Sequence, residues 1–100
     1  MFQFKGYYFG INAFDQAARL YKFIKRRKFN ELTGVYFVAL SDTDGNLLDI
    51  YNAALAVFEK HRIIGIALGR EEAMNLSAEL VEKVYGETGG FDIENYVKGQ

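Results

Sequence analysis

The side chains able to do chemistry are few, because the 100 residues hold one histidine and no cysteine. A lone histidine can act as an acid, a base or one ligand of a metal. His61 follows Glu59 and Lys60, with no serine–acid pattern to join, so it reads as a surface residue. Glu71 and Glu72 are adjacent carboxylates at the start of a helical pattern. Carboxylates there oppose the helix dipole favourably. Nothing sets one of them across a cleft from a second acid, as general acid–base work requires. Gly65-Ile-Ala-Leu-Gly69 precedes the same helix, and a helix N-terminus can hold phosphate. The chain has no G-x-G-x-x-G and no G-K-[ST], and Glu71 and Glu72 would repel an anion. Close packing and a chain turn account for the two glycines. The sequence therefore assigns no catalytic residue, no cofactor and no metal site, and favours a non-enzyme.

Two stretches resemble known binding motifs. Asp42-Thr-Asp44-Gly45-Asn46 resembles part of a calcium-binding EF-hand loop. That loop needs oxygen ligands at positions 1, 3 and 5, Gly at 6 and Glu at 12. With Gly45 at the sixth position, Leu40 and Tyr51 fall at the first and last and cannot be ligands. A hairpin turn is the expected role, with no calcium at Asp42 and Asp44. Tyr7-Tyr8-Phe9-Gly10-Ile11-Asn12 and Thr33-Gly34-Val35-Tyr36-Phe37-Val38-Ala39-Leu40 faintly resemble the paired motifs of RNA-recognition domains. The resemblance implies bases stacked on sheet aromatics. Thr33 stands where that family has a basic residue, and Val35 and Leu40 stand where it has aromatics. Tyr7, Tyr8 and Tyr36 read first as core or sheet-face residues.

Positioning these residues falls to a small set of elements. Ile63–Leu68 is apolar on both alternating faces, which marks a strand covered on both sides. It is expected to be the central strand. Phe2–Phe9 reads as one strand, with Gly6 allowing a bulge or a close approach. A helix over Ala13–Lys28, capped by Asn12, sets Ala13, Phe14, Ala17, Ala18, Leu20, Tyr21 and Ile24 on one arc. Val35–Leu40 and Leu47–Tyr51 form a hairpin through the Asp44-Gly45 turn. Asn52–Arg62 fits either a helix capped by Asn52 or a continuation of strand, with three alanines favouring helix. Arg70–Tyr85 is a helix ended by Gly86, Gly89 and Gly90. Phe91–Val97 is a short edge strand or one helical turn capped by Asp92. The fold class expected is a single α+β domain over residues 1–100, with a mainly antiparallel sheet. Its helices would pack on one face, in a ferredoxin-like βαββαβ(α) order.

Half the residues are hydrophobic and a quarter charged, a globular and soluble composition. The formal charge is −1, but residues 1–50 carry seven Lys/Arg against five Asp/Glu and residues 51–100 five against eight. The absence of cysteine suits the reducing cytoplasm. No apolar run approaches the roughly 20 residues that span a bilayer, and Met-Phe-Gln-Phe-Lys-Gly does not read as a signal peptide. One surface stands out. Arg19, Lys22, Arg26 and Arg27 surround Phe23 on the first helix, and aromatic and Arg side chains are enriched at interfaces. These five residues are the candidate partner-binding patch. The expected function is a small non-enzymatic interaction or regulatory module that self-associates or binds a protein partner. The alternative is a single-stranded nucleic-acid-binding domain using the basic first helix and sheet aromatics. No cofactor and no membrane are expected.

Overall fold

The computed structural model describes residues 2–41, 47–55 and 62–99. Two short strands open the chain, β1 (Phe2–Phe4) and β2 (Tyr7–Phe9), paired antiparallel with Phe4 opposite Tyr7. The two-residue turn between them has positive φ at both Lys5 (53°) and Gly6 (88°). That backbone matches the twist of paired strands, so Gly6 makes a hairpin where a single bulged strand was expected. Two helices follow, α1 (Ile11–Phe14) and α2 (Ala17–Lys25), then a 3-10 turn at Phe29–Glu31. Strands β3 (Val35–Leu40) and β4 (Leu48–Asn52) pair antiparallel. Strand β5 (Arg62–Leu68), helix α3 (Arg70–Thr88) and helix α4 (Ile93–Lys98) complete the described chain.

The five strands form one mixed sheet in the order β1-β2-β5-β3-β4. The β2–β5 pair is parallel and the other three are antiparallel. The architecture is thus a small α+β domain, without the expected ferredoxin-like order. The central position of β5 agrees with its doubly apolar sequence.

The helices do not pack on one face. Phe9, Val35, Phe37 and Ile66 point to a core shared with Ala13, Ala17, Leu20 and Ile24 of α1 and α2. Tyr8, Val38, Ile64 and Ala67 point to a second core with Ala73, Leu76, Leu80 and Val84 of α3 and Ile93 of α4. The physical reason lies in β3 and β5. Their neighbouring residues are both apolar, and side chains alternate between faces, so each face needs its own cover. One irregularity adjusts the fit. Val38 faces Gly65 and Ala39 faces Ile63, leaving Ile64 as an extra residue in β5. A Cβ on Gly65 would lie 2.9 Å from Leu76 Cδ2 and 3.2 Å from Val38 Cβ, so glycine here lets α3 approach the sheet.

The expected single helix over 13–28 is broken at Asp15 and Gln16, where Gln16 leaves helical geometry (φ −118°, ψ 23°). Its N-cap is Gly10, not Asn12. Helix α3 runs to Thr88, straight through Gly86, and stops where Gly89 turns left-handed (φ 75°). Its buried stripe includes Leu76, while Met74 and Tyr85 are exposed. Within Asn52–Arg62, the described part is the end of β4 followed by a 3-10 turn, Ala53–Leu55. The Asn52 side chain accepts the Ala54 N–H at 3.1 Å. The 43–46 turn, Asp42, Asp44 and His61 lie outside the described residues. Helix α4 is capped by Asp92, whose Oδ1 accepts the Asn95 N–H at 3.3 Å.

Candidate functional site

The basic corner of the molecule begins with the way α2 ends. The Lys28 N–H donates to Phe23 O and the Arg27 N–H to Ile24 O, both at 3.0 Å. These paired bonds close the helix through a left-handed residue, a place where glycine is usual. Here that residue is Arg27, with φ 55°. A left-handed backbone costs an L-residue roughly 1–2 kcal/mol. The turn sends the chain straight into the Phe29–Glu31 segment, whose Phe29 ring packs edge-on to Phe37 at 5.4 Å.

Four of the five predicted patch residues meet around one depression of about 330 Å³, lined by Arg19, Lys22, Phe23, Arg26, Lys28 and Glu31. Arg27 does not line it, because the left-handed turn lies past the helix end. Lys28 and Glu31 were not foreseen, since they enter only once the chain reverses. The Arg19 guanidinium lies 5.5 Å from the centroid of the Phe23 ring, within cation–π range. Phe23 is half-buried and packs against the α1–α2 core. On one continuous helix Phe23, nine residues on, would stand opposite Phe14. The break at Asp15–Gln16 reorients α1, so Phe14 and Phe23 reach the same core.

A second constellation escaped the sequence. Glu72 reaches across from α3 and gathers three backbone donors. Asn12 N–H donates to Oε1 at 2.7 Å, and Leu68 N–H (2.6 Å) and Ala13 N–H (3.3 Å) donate to Oε2. The carboxylate thereby caps α1 from sixty residues away and sits at the ends of the parallel strands β2 and β5. Gly10 makes room for it, since a Cβ there would lie 2.5 Å from Glu72 Cδ. The visible signal was Glu at the third position of α3, from which a carboxylate reaches back toward the helix start. Its contacts with Asn12 and Ala13 had none. Around Glu72 opens a crevice of about 540 Å³, lined by Phe2, Ile11, Asn75, Glu71 and Glu79 among others.

Glu72 is committed to backbone donors. Burial first, and neighbouring Tyr21 second, push the Tyr7 hydroxyl pKa up, away from acid–base use near neutral pH. Among the described residues, no three His, Cys, Asp or Glu groups are placed to hold a metal ion. Tyr8, Phe9 and Phe37 are buried beneath helices, whereas Tyr7 and Tyr36 are only partly buried. Among the described residues no helix is long and apolar enough to cross a membrane. The fold and site define a small α+β domain with a mixed sheet covered on both faces and a basic corner at the end of α2. No protein-family model, curated protein or solved structure matches the chain.

Proposed function

We propose that this chain is a small non-enzymatic interaction module that self-associates through the α2 corner. The carrying observation is Phe23, half-buried, with Arg19 over its ring in a depression rimmed by Lys22, Arg26 and Lys28. An aromatic anchor held in place by packing loses little freedom on binding, and flanking cations set orientation and encounter rate. Both faces of the sheet are covered by helices, so neither calls for a second copy. This corner alone does. A cytoplasmic setting, in keeping with a cysteine-free chain, belongs to the same proposal.

The test is Phe23→Ala, with unfolding and sedimentation measured on the same protein. A surface change usually shifts stability by less than about 0.5 kcal/mol, and a fully buried Phe→Ala costs about 3–5 kcal/mol. Half burial sets the expected loss between them, at about 1–2 kcal/mol. Self-association should weaken about tenfold or more, equivalent to at least about 1.4 kcal/mol. Unchanged association, or a wild-type chain that stays monomeric at millimolar concentration, overturns the reading.

The nucleic-acid alternative rests on the same corner, where a cation beside an aromatic ring is also a stacking platform. Of the sheet aromatics it keeps the partly buried Tyr7 and Tyr36, while Tyr8 is buried. Phosphate contacts would show as steep loss of binding with salt. A monomer that binds a single-stranded oligonucleotide in low salt would replace the first reading with this one.

A further inference from the structure

The two helical layers carry opposite charge. Residues 17–28 hold six Lys/Arg and no acid. Helix α3 holds five Glu against Arg70 and Lys83. Glu72 is engaged on the backbone of α1 and Glu87 with Lys83 at 2.8 Å. Glu71 and Glu82 are exposed and lie about three turns apart on one line of the helix. Beside that line, between α3 and the edge strand β4, runs a groove of about 450 Å³ lined by Ile50, Met74, Ser77, Ala78, Val81 and Glu82. Met74 is 52% exposed. The groove is apolar with an acid at its rim, and the α2 corner is an aromatic ring with four bases and one acid, Glu31, around it. Their chemistries are reciprocal.

We propose that the occupant of this groove is the α2 corner of a second copy, so that copies join head to tail. This rests on the reading of α2 as the self-association surface and adds its receptor. A contact about a two-fold axis sets a patch against itself. At the α2 corner that would bring base against base, which is costly at close range. The α2 and α3 layers cover opposite faces of one sheet, so both cannot meet the same partner at once. Each added copy then leaves one basic corner and one acidic groove unfilled, and a head-to-tail contact that does not close into a ring grows as an open chain. Growth should fade with salt, because the charges at both rims are exposed.

Two variants test this, each blocking one surface: Lys22→Glu with Arg26→Glu on the corner, and Met74→Lys with Glu82→Lys on the groove. All four positions are exposed, so thermal melting should remain cooperative; Lys22→Ala and Glu82→Ala are milder versions of the same arms. In sedimentation velocity at low salt, the wild-type chain should form a concentration-dependent series of oligomers. Each variant alone should be monomeric, its self-association weakened about tenfold or more, equivalent to at least about 1.4 kcal/mol. An equimolar mixture should stop at a one-to-one complex, because the intact groove of one variant accepts the intact corner of the other. A groove variant that still self-associates overturns the head-to-tail contact and leaves α2 as the interaction surface. A wild-type chain that is monomeric throughout overturns the underlying reading as well.

Discussion

One face of the sheet is covered mainly by the long helix α3, with α4 beside it, and the other by a broken path, and the two are held differently. Helix α3 buries Ala73, Leu76, Leu80 and Val84, a stripe at spacings of three and four that any straight helix presents. Its position is set by apolar packing and by Gly65, which lets Leu76 come close. The opposite layer is made of α1, α2 and the Phe29–Glu31 turn. Aromatic contacts stitch it together: Phe14 stacks on Phe2 at 4.7 Å, and Phe4 meets Tyr21 edge-on at 5.9 Å. Its first helix has four residues, too few to be stable alone, and depends on the Glu72 carboxylate of the other layer. The comparison teaches that a regular element carries its instructions locally, whereas an irregular one borrows them. The irregular layer is also the one that bends Phe23 and the bases into a shared corner.

The contrast can be broken most strongly in the cores. Leu80→Ala and Leu20→Ala each empty a fully buried position and should cost about 2–5 kcal/mol. Urea titrations followed by far-ultraviolet circular dichroism and by tyrosine fluorescence check this. If the layers form one cooperative unit, the two probes will give coincident transitions for both variants; separate transitions would show that the layers unfold independently.

A smaller effect is expected where the layers are joined. Glu72→Ala leaves the Asn12, Ala13 and Leu68 donors without their acceptor, at about 1–3 kcal/mol in total if water replaces part of the loss. Hydrogen exchange should quicken at Asn12 and Ala13 and stay slow in the middle of α3. Equal loss of protection in both helices would refute the dependence of α1 on Glu72.

Arg27→Gly should act in the opposite direction. It relieves the left-handed strain of about 1–2 kcal/mol and gives back part through the looser unfolded chain, about 0.4–1 kcal/mol. The net expectation is a gain of about 0.5–1 kcal/mol, read as a higher urea midpoint with an unchanged slope. A loss would mean that Arg27 contributes an interaction that outweighs its backbone strain.

The smallest effect concerns the attachment of α4 to the α3 side. The Glu87 carboxylate is held below its ordinary pKa by Lys83 first and then by the Tyr96 hydroxyl, which donates to it at 2.9 Å. Glu94 is lowered by Lys98 first and then by Arg62, with which it forms an ion pair. Groups with lowered folded-state values stabilise above the ordinary carboxylate range, and lose that contribution as pH falls through the lowered values. The amide signals of Asn95 to Val97 should therefore shift on acidification before the α1–α2 core signals do. Simultaneous change in both regions would contradict a separately titrating α4 contact.

Much of the fold is written in local pattern. The doubly apolar run 63–68 is the middle strand, Val35–Leu40 is its neighbour, and Arg70 begins the long helix, as periodicity alone demands. The Asp92 cap of α4 was one of two local readings. The patch was legible as composition, because Arg19, Lys22, Phe23 and Arg26 share a face within two turns of helix. What local pattern could not decide was the sidedness of the layers. Apolar residues on both sides of a strand require two covers but do not say which helix takes which side. That choice follows from the parallel pairing of β2 with β5 and the shift at Ile64, both contacts between residues far apart in the chain. The start of α1 was equally hidden, since its Asn12 N–H is held by a carboxylate sixty residues downstream. Spacing and turn chemistry act within a few residues, so local pattern was enough to place β3, β5 and the start of α3 and to show where charge and aromatic residues concentrate. That acid and base lie on opposite faces of the sheet and that Phe23 sits half in the core depend on long-range packing, which no local pattern records.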